Sequence, residues 1–196
     1  MNSRTICSLG ALLAAVCMTA GVSAQGGLKR SQPSKKSRDS AGLFMQLMPT
    51  LTSPRCMNCH TSTNFPRQGD DRHRHIMLVI RGDDNHGAAA LRCATCHGAS
   101  NGENGVPGAP DWQLAPLSMA WEGLSAGGLC RVMLAPENRQ TASTIVAHMR
   151  TPLVQWAWSP GIDLDGKRRA TPPLSRDQFL ALTQAWADSG ARCPER

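Results

Sequence analysis

The chain has 196 residues, with 21 Lys and Arg against 14 Asp and Glu, no Tyr, three Phe, five Trp and 31 Gly plus Pro. That length suits one domain, and the shortage of aromatic side chains excludes a large self-sufficient apolar core. The positive charge is local: residues 25–40 hold five basic residues against one acidic, and apart from these and Arg4 only +2 of the formal +7 remains for residues 41–196, which excludes a broad nucleic-acid face.

Residues 1–24 carry Arg4, an apolar run from Leu9 to Val22, then Val22-Ser23-Ala24. This charged, apolar, small-residue order is that of a secretory signal and predicts cleavage after Ala24, with the mature chain periplasmic or secreted. Lipidation at Cys17 is the alternative, disfavoured by Val16 before it. The run is too short for a membrane span, no later stretch is long and apolar enough, and a soluble mature chain is expected. Residues 25–40 read as a basic flexible linker, either a solubilising spacer or a tether toward an acidic partner or anionic membrane surface. The domain proper is expected over 41–196.

Residues 41–52 read as a short helix stopping near Pro49, with Leu43, Phe44, Leu47 and Met48 on one face. Cys56-Met57-Asn58-Cys59-His60 follows at once. Residues 61–92 are rich in turn formers around Arg72–Ile80, a segment that is either extended or turned, and Ala88–Arg92 reads as a helical turn. It leads into a second pentapeptide, Cys93-Ala94-Thr95-Cys96-His97. Residues 98–118 predict an ordered Pro- and Gly-rich loop that buries Trp112 and Leu114. Helices are expected over Ser125–Leu134 and Thr141–Met149, with irregular chain over 151–173. Ser175-Arg176-Asp177-Gln178 is a capping-box pattern; Phe179, Leu182 and Trp186 follow at helical spacing, and Gly190 is a natural stop. Long alternating strands are absent from the pattern.

Cys-x-x-Cys-His is the attachment signature of c-type haem. Two thiols anchor the porphyrin covalently, and the adjacent imidazole coordinates iron. Two copies predict two covalent haem c groups, on Cys56, Cys59 and His60 and on Cys93, Cys96 and His97. The haems are expected to form part of the core. The second axial position decides the chemistry. Candidates are His73 and His75, which share a face if the segment is extended, and His148 on the helix over 141–149. His86 sits in a turn and reads as surface; Met77, Met119, Met133 and Met149 are further options, with Met119 and Met133 better suited to packing. Of eight cysteines, Cys7 and Cys17 leave with the signal and four serve haem. Cys130 and Cys193 remain and, in an oxidising compartment, predict a disulfide; two buried thiols are the alternative.

The 37 residues from His60 to His97 are too few to hold a complete single-haem domain between the motifs. The pair resembles small dihaem c-type cytochromes. The stretch 41–194 is similar to short exported proteins labelled as an isoquinoline 1-oxidoreductase subunit, through Pro54–His60, Gln68–Asp71, Arg92–His97, Pro107–Trp112 and Thr171–Leu174. The resemblance implies association with molybdenum-containing hydroxylases, which pass electrons to cytochromes, and no hydroxylase activity in this chain. The expected fold is mainly α with much irregular loop, a small dihaem cytochrome c-like domain of short helices packed around two haems. The expected function is electron transfer with a redox partner protein, as acceptor for a molybdenum hydroxylase or other dehydrogenase, without catalytic residues, nucleic-acid binding or a stable membrane span. A haem enzyme or sensor with an open iron position, peroxidase- or reductase-like, is the alternative; a zinc site on the four thiols is a third reading.

Overall fold

Residues 35–103, 105–162 and 166–196 are described by the computed structural model. The signal segment, with Cys7 and Cys17, and most of the basic linker lie outside them. The described chain is mainly helical, with irregular loops and four two-residue strands.

Helix α1, Lys35–Leu51, carries Phe44, Leu47 and Leu51 at spacings of three and four, and all three are buried. It begins inside the segment read as linker, and its Ser40 is fully buried. The Ser40 hydroxyl donates to the Trp186 carbonyl and accepts from the Arg192 N–H at 3.0 Å. The helix also runs past Pro49. A proline near the last turn forfeits one backbone bond, and burial of Leu51 offsets that loss. The apolar face of α1 meets α6, Arg176–Asp188, and Phe44 lies 5.4 Å from Trp186 between ring centroids. Met57 of the first pentapeptide joins the same buried cluster, and Cys56 packs against it.

The ends of α6 are written in the sequence. Ser175 accepts from the Gln178 N–H at 3.2 Å, and the Gln178 side chain accepts from the Ser175 N–H at 3.0 Å. Gly190 adopts φ +105, the left-handed conformation that ends helices. Helices α3, Ala126–Met133, and α4, Ala142–Met149, complete the core with Leu129, Met133, Ile145 and Met149. Cys130 and Cys193 form a disulfide that ties the chain after α6 to α3.

Between the short helix α2, Pro54–Met57, and α3 the backbone has little regular structure. Strand β1, Arg67–Gln68, pairs with β2, His73–Arg74, and β3, Gly87–Ala88, pairs with β4, Leu91–Arg92. The turn expected over 88–92 is thus a hairpin. Gly87 sits at φ +92, where an added Cβ would stand 2.6 Å from the Leu91 carbonyl oxygen. Extension of the segment 72–80 is confined to His73–Arg74, because Arg72, Met77 and Leu78 all take positive φ.

Buried loop carbonyls need donors, and arginines supply them. Arg81, 5% exposed, donates to the carbonyls of Thr61, Thr63 and Ala115 and to the Asn85 side chain. Arg55, 7% exposed, donates to Ala170 and Ser159.

Trp186→Ala is expected to cost about 3–5 kcal/mol through the cavity it leaves. Loss of the disulfide, which spans 63 residues, is expected to cost about 4 kcal/mol. Denaturant unfolding of each variant measures both.

Candidate functional site

Both pentapeptides fold into the same turn. The Cys59 and His60 N–H groups donate to the Cys56 carbonyl, each at 3.2 Å, and the Cys96 and His97 N–H groups donate to the Cys93 carbonyl at 3.2 and 3.0 Å. One copy closes α2, where Pro54 suits the first turn; the other closes a 3₁₀ turn, Cys93–Thr95, after the second hairpin. All four motif cysteines are free thiols. Burial pushes Cys56 and Cys59 up to about 11, with neighbouring thiols adding to the rise at Cys59, and it also raises Cys93. These are neutral sulfurs, not poised nucleophiles.

The two histidines are held alike. His60 Nδ1 donates to the Met119 carbonyl at 2.8 Å, and its ring lies flat on Trp121, centroids 3.5 Å apart and planes 9° apart. His97 Nδ1 donates to the Pro107 carbonyl at 2.7 Å and lies flat on Trp112, 4.6 Å and 9° apart. A carbonyl can only accept, so Nδ1 carries the proton and Nε2 keeps its lone pair, the arrangement that orients a metal-ligating imidazole. Burial brings His60 down to about 4 and lowers His97 as well, so both rings are neutral, the ligating form, near neutral pH.

Cys59, Cys93, Cys96, His97, His73 and His75 line one largely apolar cavity of about 460 Å³, within the range of cofactor pockets. Arg55 and Arg169 also line it, both near the ring of Trp156, at 4.7 and 5.2 Å from its centroid. Arg55 Nη1 and Arg169 Nε are buried without hydrogen-bond partners. An apolar hollow with three thiols, an oriented imidazole and unmet guanidinium donors fits a haem, a flat apolar ring bearing carboxylate arms.

The remaining histidines divide. His75 donates from Nδ1 to the Ile76 carbonyl at 2.6 Å, and its ring lies 6.1 Å from that of His97, with planes 60° apart. His73 is exposed and tied to Asp71 at 2.6 Å. His148 lies exposed on α4, and its charge would add to the lowering of the His60 pKa. His86 is held by Asp111 at 2.9 Å and by Asp84, contacts that raise its pKa. Met133 and Met149 are core, Met119 serves through its carbonyl, and the exposed Met77 borders the cavity. Among the described residues no three His, Cys, Asp or Glu side chains gather as a cation site.

Sequence reasoning missed Trp121, the two carbonyl acceptors and Glu122. Glu122 accepts from Thr61 Oγ1 at 3.1 Å and the Ser62 N–H at 2.7 Å, and it pairs with Arg67 at 3.2 Å and with Arg72. It thereby ties the residues after His60 to the residue after Trp121. Burial opposes its ionisation, but the hydrogen bonds from Ser62, Arg72 and Thr61 outweigh that and hold its carboxyl down to about 2.

No protein-family model, curated protein or solved structure matches the chain. Among the described residues no helix is long and apolar enough to cross a membrane.

A carboxyl depressed on folding stabilises the fold above its unfolded value, about 4.3, and that contribution fades as pH falls through the folded value of about 2. Glu122→Gln is therefore expected to be less stable at neutral pH and to lose less further stability on acidification than the parent, as read by urea midpoints across that interval.

Proposed function

We propose that this protein is an exported dihaem c-type cytochrome that carries electrons, with a dehydrogenase or molybdenum hydroxylase as its donor. The observation that carries this reading is the twin construction of the motifs. Each repeats one turn, two free thiols, an imidazole bonded through Nδ1 to a backbone carbonyl, and an indole flat beneath that imidazole. The two copies reach this arrangement by different routes, since Met119 and Trp121 lie far along the chain from His60 whereas Pro107 and Trp112 sit in the loop that follows His97.

Cys56 and Cys59 would anchor one haem and Cys93 and Cys96 the other, with His60 and His97 as proximal ligands. Bound haem supplies a reversible one-electron iron couple. The chain's own part is to keep both imidazoles neutral and aimed, to set each pair of sulfurs on one turn, and to present guanidinium donors toward the carboxylates. The fine architecture under this reading is short helices and loops wrapped on two haems. Periplasmic or secreted location follows from the signal segment, and the redox partner is a protein.

The nearness of His75 to His97 favours a carrier over an enzyme with an open iron, because it offers a further imidazole beside the second motif; His148 is the candidate for the first. His73, on the same cavity wall as His75, is the further ligand candidate.

The test is the mass and spectrum of the full chain produced in a host that attaches haem outside the cytoplasm. The expected result is a polypeptide carrying two haems, with a sharp absorption band on reduction and no carbon monoxide binding at native pH. Cys96→Ala with Cys93→Ala is expected to remove one haem and leave the other. A colourless chain with the mass of its amino acids alone would overturn the reading, and ready carbon monoxide binding would shift it to the open-iron enzyme.

A further inference from the structure

The hairpin of β1 and β2 does more than connect the two motifs. Arg67 pairs with Arg74 and Gln68 with His73. The His75 N–H then donates to the Pro66 carbonyl at 3.0 Å, and the Ile76 N–H to the Gln68 side chain at 3.0 Å. Beyond this anchor the chain turns through two left-handed residues, Met77 and Leu78, which are each 70% exposed. Non-glycine residues enter that conformation at a cost. Here the turn follows His75 directly, and Ile76, Met77, Val79 and Ile80 join His75 on the cavity wall.

His75 and His97 also share one protonation pattern. Each gives its Nδ1 proton to a backbone carbonyl, Ile76 for one and Pro107 for the other. With Nδ1 so engaged, Nε2 is in each ring the nitrogen left to face a metal. The ring centroids stand 6.1 Å apart across the cavity that holds Cys93 and Cys96. Two metal–imidazole bonds of about 2 Å each, with the ring radii added, span roughly that separation. His73 likewise engages its Nδ1, with Asp71 at 2.6 Å, so what sets His75 apart is that its ring stands beside that of His97.

We propose that His75 is the second axial ligand of the iron held by His97, and that the apolar segment Ile76–Ile80 closes over the same haem. The assignment rests on the dihaem reading above and fixes one of its unassigned positions. Bis-imidazole ligation makes this haem an electron-transfer centre of low potential relative to a methionine-ligated one. The exposed side chains of Met77 and Ile80 are then the ones a bound ring would cover, which accounts for apolar residues otherwise left to solvent.

The experiment uses the full holoprotein, first checked by mass for two attached haems. In the unaltered protein, diethyl pyrocarbonate with peptide mapping is expected to modify His73 and His86 and to spare His75. In His75→Ala, one of the two low-spin paramagnetic signals is expected to be lost, one haem is expected to bind carbon monoxide, and added imidazole is expected to restore the lost signal. Met77→Leu is expected to leave both signals in place. In His75→Met, one reduction potential is expected to rise while the other stays. Modification of His75 in the low-spin holoprotein, or a His75→Ala protein with two haems and both low-spin signals intact, overturns the assignment while leaving the dihaem reading standing. Loss of a signal in Met77→Leu would move the ligand to sulfur and overturn it too. A wild-type chain without haem would sink the functional reading and this assignment together.

Discussion

Arginine donating to backbone carbonyls is the interaction on which the loop half of this protein depends. Among the described residues from 58 to 115 the chain has only four two-residue strands and short 3₁₀ turns to satisfy its own polar groups. Buried carbonyls left unpaired cost about 1–3 kcal/mol each. Arg81 meets three of them and joins the segment after His60 to the loop carrying Ala115. Arg55, Arg72, Arg92 and Arg169 do the same for Ser159 and Ala170, Met57, Gly87 and Gly105. A guanidinium suits this use because its five donors are fixed in one plane and it does not lose its proton. Much of the positive charge in residues 41–196 is thus structural, consistent with the small net charge there.

The two Cys-x-x-Cys-His pentapeptides sit on unlike supports. Met57, inside the first, belongs to the helical core with Phe44, Leu129 and Trp186, and Cys56 packs against that core. The second sits on a hairpin braced by the Asp84–Arg92 ion pair at 2.6 Å. Their geometry nevertheless converges, since each histidine is fixed by a carbonyl and an indole, from a remote segment for His60 and from the following loop for His97. The helical core of α1, α3, α4 and α6 consists of side chains packed on one another, whereas the loop half encloses an apolar cavity of about 460 Å³.

Legibility followed locality. The capping box at Ser175, the helix over 141–149, the pairing of Cys130 with Cys193 and the placing of His86 in a surface turn were all readable, because short-range pattern or parity determines them. The reach of α1 past Pro49 and back to Lys35 was not, since tertiary contacts of Ser40 and Leu51 decide it. Nor was the β3–β4 hairpin, where Gly87 dictates a backbone form that composition around Ala88–Leu91 conceals. At the site, the thiols and imidazoles were legible as residue types. Their supports were not: any residue has a carbonyl, so nothing in the letters marks Met119 or Pro107 as an acceptor. Trp112 was read only as a group to bury, and Trp121 carried no local signal at all. Of the candidate histidines, His75 is singled out by its closeness to His97, a contact 22 residues apart in sequence that no local pattern marks.

The parallel seating of Trp121 under His60 and of Trp112 under His97 has an optical consequence. Two of the five indoles touch the imidazoles themselves, whereas Trp186 lies wholly inside the helical half. Emission from Trp112 and Trp121 is therefore wired to the state of each centre, while Trp186 reports on the helices. Single-indole versions of the chain would give separate fluorescent gauges of the two centres and of the scaffold that carries them.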